Sequence, residues 1–274
     1  MLKARLLTAI VLLLIFVPVT LFAPLGVFGA LIGFVVVFAA WEWARLLKFG
    51  GNFAIGYALL TAVLVLLGAR ALPLDTPGLY RAAALFWVLA VPFAFVRRPT
   101  LAAGGWRAFL LLAGIVLFNA CWHALVTARA HGVPFVLSLL LLVWLADIGA
   151  YFAGRRFGRR KLAVTISPGK TWEGAIGGWL LAIVVALLAI VAHPFDPAAP
   201  TFYELLAAQR GIAVALLTLT VLVIFSVLGD LFESLLKRQA GVKDSSALLP
   251  GHGGVLDRID ALLPVLPIAM LFVH

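Results

Sequence analysis

Apolar runs close to the roughly 20 residues that carry a helix across a bilayer recur along nearly the whole chain, the first being LLTAIVLLLIFVPVTLF at residues 6–22. They leave no stretch long enough for a separate soluble domain of ordinary size. Hydrophobic residues make up 65% of the 274 and charged residues only 12%, whereas a soluble domain is nearer a quarter charged. The expected fold class is all-α: a polytopic integral membrane protein forming a single domain over residues 1–274. Apolar windows place about nine transmembrane helices near 6–23, 26–43, 53–69, 80–96, 108–127, 134–153, 174–192, 211–229 and 259–273. The last, IDALLPVLPIAMLFVH, is short and contains Pro264 and Pro267, so partial insertion or a break is expected there. The start has the positive flank and apolar run of a signal peptide, but its length suits an uncleaved first span.

Basic residues fix the expected sidedness. With the amino terminus inside, alternate loops carry Lys3 and Arg5, Arg45 and Lys48, Arg97, Arg98 and Arg107, the run Arg155, Arg156, Arg159, Arg160 and Lys161 with Lys170, and finally Lys237, Arg238, Lys243 and Arg258. The opposite set holds only Arg70, Arg81, Arg129 and Arg210. Positive loops stay on the cytoplasmic side, which suggests a bacterial-type inner (plasma) membrane with the polar chemistry facing the cytoplasm. The net charge of +10 then addresses anionic membrane lipids, and no nucleic-acid partner is expected. Cys121 is the single cysteine, which rules out an intrachain disulfide and a thiolate cluster. It reads as a packing residue.

Of the acidic residues, Glu42, Asp75, Asp196 and Glu204 fall near span ends or in loops and suggest no special role. The segment 193–204, HPFDPAAPTFYE, reads as a plain linker. The remaining acids concentrate in two inside regions, Asp147–Glu173 and Asp230–Asp260, within residues 141–274; residues 1–140 are apolar spans.

In the later region Asp230, Glu233 and Lys237 share one helical face by spacing. They are followed by Arg238, Lys243–Asp244, a PGHGG segment and Asp257–Arg258–Asp260. A charged loop is usually just solvated, but carboxylates at the hydrocarbon edge, such as Asp230 and Asp257, are costly and tend to mark function. Phosphate chemistry fits these residues. Hard carboxylate oxygens suit Mg²⁺, Lys and Arg neutralise phosphate charge, and Gly251, Gly253 and Gly254 let backbone amides approach a phosphate. His252 is a candidate phosphate contact or proton shuttle. There is no P-loop sequence and no zinc-binding pattern.

In the earlier region Asp147 lies inside an expected span, where a carboxylate needs a partner or a metal. The basic run 154–161 leads into SPGKTWEGAIGG at 167–178. Ser167, Lys170 and Thr171 precede a helix with Glu173 in its first turn, and Pro168–Gly169 supplies a turn. A helix start favours an anion, so this stretch is expected to hold a nucleotide polyphosphate. The competing reading makes Thr171 a simple N-cap.

SLLKRQAGVKDSSALLPGHGGVLDRID, residues 234–260, resembles the signature of phosphatidate cytidylyltransferases (CDP-diacylglycerol synthases). The match runs through Ser234, Lys237, Arg238, Lys243, Asp244, Ser246, Leu249, Pro250, His252, Gly253, Gly254, Val255, Asp257, Arg258, Ile259 and Asp260. The earlier segment is similar to the same family at Asp147, Ala150, Tyr151, Gly154, Arg155, Gly158, Arg159, Ser167, Pro168, Lys170, Thr171, Glu173 and Gly174.

The resemblance implies that CTP and phosphatidic acid give CDP-diacylglycerol and pyrophosphate, with Mg²⁺ required, a second cation left open, and a homodimer as the assembly. It further implies Asp230 and Asp257 as metal ligands and, with Lys243, Arg258 and His252, as the catalytic set. Asp147, Ser167, Lys170, Thr171, Glu173, Lys237, Arg238, Asp244 and Asp260 are expected to bind substrate. Two rivals remain: a related transferase, such as a CTP-dependent lipid kinase or an enzyme of CDP-linked ether lipid, and a transporter. The transporter reading predicts charges at mid-bilayer in several spans and often an internal repeat. Here the polar residues sit in loops.

Overall fold

The apolar windows fold as helices that end where the polar breaks begin. The computed structural model describes residues 2–102, 104–193, 195 and 198–273, with side chains from residue 7 onward. The side chains of Lys3 and Arg5, and residues Asp196 and His274, lie outside the described residues. Among those described, seven helices are long and apolar enough to cross a membrane. They are α2 (Leu25–Leu46), α3 (Gly51–Ala71), the continuous Pro77–Arg97, α6 (Gly104–His131), α7 (Val133–Phe157), α8 (Trp172–Ala192) and α10 (Ile212–Ala240). Pro77–Arg97 comprises α4 (Pro77–Leu85), a π-helical turn over Phe86–Ala90, and α5 (Val91–Arg97). The π turn comes just before Pro92, which has no N–H to continue a regular ladder. The first helix, α1 (Leu2–Phe22), adds a shorter apolar stretch over Leu7–Phe22.

The segment expected to be a ninth crossing is not a helix of spanning length. It divides into α11 (Leu256–Ile259) and α12 (Leu262–Leu271). Ten residues rise only about 15 Å, roughly half the hydrocarbon core. Every residue of α12 from Leu262 to Met270 is buried, against α4, α6 and α10. The break falls at Asp260, and Pro267 lies inside the second piece. Neighbouring helices, rather than length, hold it in place.

Two further expectations change. The segment read as a plain linker leads into α9 (Phe202–Arg210), started by a capping box in which the Glu204 amide donates to Thr201 Oγ1 (3.2 Å) and the Thr201 amide to Glu204 Oε2 (2.7 Å). Glu204 therefore has a structural role. The fold also contains one small antiparallel hairpin, β1 (Lys161–Ala163) and β2 (Ser167–Thr171), pairing Lys161 with Thr171 and Ala163 with Ser167. Its turn is at 164–166, not at Pro168–Gly169. The Ile166 amide closes on the Ala163 carbonyl at 3.2 Å, and Pro168 is tolerated because a two-stranded hairpin has only edge strands.

The closest helix pair is α7 against α8, where backbones meet with almost no side chain between them. A Cβ on Gly178 would collide with the Ala146 carbonyl, and one on Gly177 with the Ala153 methyl group. This contact holds the hairpin and the start of α8 against the Asp147 region of α7. At one end of the bundle the connections interlock: Arg238 Nε donates to Ile166 O (3.2 Å), Gln239 Nε2 to Pro99 O (3.0 Å) and Thr8 Oγ1 to Pro250 O (2.9 Å). At the other end, Arg129 Nε donates to Thr20 O (2.7 Å) and Thr127 Oγ1 to Leu74 O (2.6 Å).

Gly178→Leu is expected to lower the unfolding temperature in detergent, with an overpacking penalty of roughly 1–3 kcal/mol or more. Gly56→Ala on α3, where an added Cβ meets nothing within 4 Å, is expected to be neutral or to stabilise by up to about 1 kcal/mol. Equal tolerance of both changes would refute the close α7–α8 contact.

Candidate active site

Glu42, at the end of α2, organises the 245–256 segment from about 200 residues away. Its carboxylate is fully buried and accepts four hydrogen bonds, from Ser245 Oγ (3.0 Å), Ser246 Oγ (2.5 Å) and the amides of Val255 (3.0 Å) and Leu256 (2.6 Å). A buried carboxylate is tolerable only with such a donor set. Gly254 is required beside it, since a Cβ there would occupy the position of Ser245 Oγ and Glu42 Oε1. Sequence reasoning missed Glu42 because it looks like an ordinary acid at a span end. The only local hint was its place in the otherwise apolar AAWEWA.

The same segment encloses Asp257. Its Oδ2 accepts from the amides of Ser245 (2.9 Å) and Gly254 (2.8 Å) and lies 2.9 Å from Ser245 Oγ, whose one hydrogen it shares with Glu42, while Oδ1 meets Lys237 Nζ at 2.5 Å. Burial alone would raise this carboxyl, but the Lys237 ammonium and the Gly254 and Ser245 amides outweigh it and hold Asp257 below the usual carboxylate range. The Gly254 amide, expected to face a phosphate, is thus committed to Asp257. Lys237 also pairs with Glu233 at 2.5 Å, one helical turn earlier on α10, which realises the shared face read from the spacing. Glu233 Oε1 is buried without a hydrogen-bond partner. Asp260, just past α11, accepts from the Ala261 amide at 2.7 Å. Burial, and after it the charge on Asp230, pushes the Asp260 carboxyl up.

A cavity of about 530 Å³ lies between α7, the hairpin and α10, lined by Asp147, Lys170, Thr171, Gly174 and Asp230 among others. Lys170 Nζ and Asp230 Oδ2 are 2.6 Å apart, and Ser234 Oγ donates to Asp230 Oδ1 at 3.3 Å. Asp147 lies within electrostatic reach of Asp230, Lys170 and Arg258. Two residues of the hairpin stretch have local duties. Thr171 is the N-cap of α8, accepting from the Gly174 amide at 3.1 Å, so the capping reading describes its hydroxyl. Glu173 accepts from the amides of Arg159 (3.0 Å) and Arg160 (3.1 Å), tying the end of the basic run to the helix start. Ser167 is half-buried at the start of β2, and Arg238 holds the hairpin turn through Ile166.

A second, more polar cavity of about 580 Å³ is lined by Lys243, Asp244, Ser246, Pro250, His252 and Arg258. Gly251 and Gly253, at φ +76° and +80°, turn the backbone where side chains rarely follow. Arg258 Nη2 donates to His252 O at 2.6 Å, and His252 Nδ1 is buried without a partner. Of the expected residues, Asp147, Lys170, Thr171 and Asp230 line the first cavity and Lys243, Asp244, His252 and Arg258 the second, whereas Asp257, Lys237 and Asp260 line neither.

Among the described residues, no three His, Cys, Asp or Glu side chains form a ready ligand set. The donors nevertheless suit a hard divalent cation. Asp230 and Asp257 each present carboxylate oxygen to one lysine ammonium, a position that Mg²⁺ could take over in exchange. Glu233 adds an orphaned acceptor nearby.

Glu42→Ala is expected to leave the Val255 and Leu256 amides and the Ser246 hydroxyl without their acceptor, at about 1–3 kcal/mol for each that stays buried and unsatisfied. Limited proteolysis within residues 244–256 is expected to speed up, and thermal stability to fall. Unchanged proteolysis would remove Glu42 from its organising role.

Comparison with known proteins places the whole chain in one family. The model of the cytidylyltransferase family matches residues 3–274. A phosphatidate cytidylyltransferase of Pseudomonas aeruginosa is 39% identical over 98% of this chain and 95% of its own length. One from Staphylococcus saprophyticus is 33% identical over 97% and 96%. One from Haemophilus influenzae is 49% identical over a shorter match, 52% of this chain and 46% of its own. The fold, the clustered site and this end-to-end match lead to one conclusion: the chain belongs to the cytidylyltransferase family.

Proposed function

We propose that the protein transfers CMP from CTP to phosphatidic acid, giving CDP-diacylglycerol and pyrophosphate. One observation carries the reading beyond the family match: two polar cavities each place basic side chains beside a carboxylate, Lys170 with Asp147 and Asp230 in one and Lys243 and Arg258 with Asp244 in the other. Two phosphate-bearing substrates need such an arrangement, because their mutual repulsion must be neutralised where they meet. A phosphate oxygen of phosphatidic acid attacks the α-phosphorus of CTP, a new P–O bond forms, and the bond to pyrophosphate breaks in line.

Lys170, Lys243 and Arg258 take up phosphate charge, and Lys170 and Lys237 become available for it when their carboxylates are otherwise neutralised. Mg²⁺ held by Asp230 and Asp257 would supply further charge neutralisation and polarise phosphoryl oxygen. The phosphate monoester is already an anion near neutral pH, so His252 serves as a contact rather than an essential base. Ser167, Arg238, Glu173 and Thr171 keep the nucleotide-side hairpin in place, Asp244 lines the cavity of Lys243, and Asp260 lies outside both cavities as a buried acid. The site faces the cytoplasm in a bacterial inner membrane, where CTP is available, and the protein works as a homodimer.

Transfer of radiolabel from CTP to phosphatidic acid by purified protein in detergent with Mg²⁺ is the direct test. Asp257→Asn is expected to lower turnover by about a hundredfold or more, on the order of an electrostatic catalytic group. Near-full Mg²⁺-dependent turnover in that variant would overturn the assignment, and a panel of lipid acceptors separates phosphatidic acid from ether-lipid acceptors. Sidedness has its own test. In a Cys121→Ser background, Lys243→Cys is expected to react with a membrane-impermeant maleimide only in inside-out vesicles. Reaction in right-side-out vesicles would reverse the orientation.

A further inference from the structure

The polar cavity of Lys243, His252 and Arg258 shares two of its walls, Leu249 and Arg258, with an apolar groove of about 430 Å³. The groove runs between α1, α2, α7 and α12, with Ile15, Phe16, Val35, Phe38, Trp144 and Leu266 among its lining. Its remaining lining is also almost entirely apolar, and among the described residues Arg258 is the only charged one in it. The α1 wall is tied at the polar-cavity end by the Thr8 to Pro250 hydrogen bond and at its other end by Arg129 Nε to Thr20 O. A cationic pocket opening directly onto an apolar trough has the two-part chemistry of a phospholipid: an anionic head beside a guanidinium and a hydrocarbon chain in a dry groove.

Resting on the phosphatidate reading above, we infer that this groove holds an acyl chain of the lipid acceptor, with its phosphate at Arg258, and that its walls set the chain-length preference. The position of Arg258 is what distinguishes this occupant from a passing bilayer lipid. A chain moving from the bilayer into the groove leaves one apolar medium for another and gains little from hydrophobicity. Affinity comes from the phosphate contact, and the groove contributes selection by shape, a discrimination on the order of tenfold or more for a poorly fitting chain. The nucleotide is left to the cavity of Lys170 and Asp230, so each substrate approaches the α10 carboxylate face from its own side.

The test fills the groove from opposite walls. Val35→Trp on α2 and Ile15→Trp on α1 are compared with Leu59→Trp, an outward-facing control on α3. Each is assayed with dipalmitoyl and dioctanoyl phosphatidate. Both groove variants are expected to lose on the order of tenfold in kcat/KM with the long chain, while retaining the short-chain rate and the KM for CTP. Loss that is equal for both chain lengths, or no loss in either variant, overturns the inference.

If the wild type transfers nothing to any phosphatidate, the functional reading fails, and the groove is tested by itself with a phosphatidate bearing a diazirine at the chain end. Crosslinks to the peptides of Ile15, Val35 or Trp144 that survive excess phosphatidylethanolamine support the site. Crosslinks elsewhere, or ones abolished by phosphatidylethanolamine, refute it.

Discussion

The structure depends on a carboxylate that contributes nothing to the polar cavities directly. Glu42 binds two serine hydroxyls and two backbone amides of the 245–256 segment, and Ser245 in turn donates to Asp257. A glycine-rich loop has high conformational entropy to lose on ordering. Here that loss is offset by charge-assisted hydrogen bonds in a buried setting, where they are stronger than in water. The amino-terminal half of the chain, apolar and otherwise without polar chemistry, supplies the anchor on which the carboxyl-terminal half is shaped.

The site is a balanced arrangement of charges. Lys170 pairs with Asp230, and Lys237 pairs with both Glu233 and Asp257. Breaking a buried ion pair from one side costs far more than the pair contributes to stability, so these lysines and carboxylates are held together until another charge replaces one of them. In the proposed reaction an arriving polyphosphate would compete for the lysines and the proposed cation for the carboxylates, so that each exchange would make the other easier.

Much of this was legible in the sequence. The positions of seven long helices and the gathering of Asp230, Lys237 and Asp257 at one end followed from hydropathy, charge and spacing. What escaped was contact across long separations. Glu42 looked like any acid at a span end, Glu204 like a linker residue, and the 167–171 stretch like a turn. Each of their roles is decided by a partner that local pattern does not reveal: the amides of 255–256, the cap of α9, and the pairing with β1. The break in the last segment was expected from its prolines, but its enclosure was not legible, because apolar composition does not distinguish a helix facing lipid from one enclosed by other helices.

That enclosed helix has a consequence for how the protein is assembled. Ten apolar residues with two prolines cannot settle in a bilayer as an independent crossing, so α12 has no stable place until α4, α6 and α10 have already gathered around it. Helix insertion and helix association are separate stages for the long spans, whereas for α12 they are the same event. Because α12 directly follows Asp257 and Asp260, these two carboxylates reach their final positions only when the bundle closes.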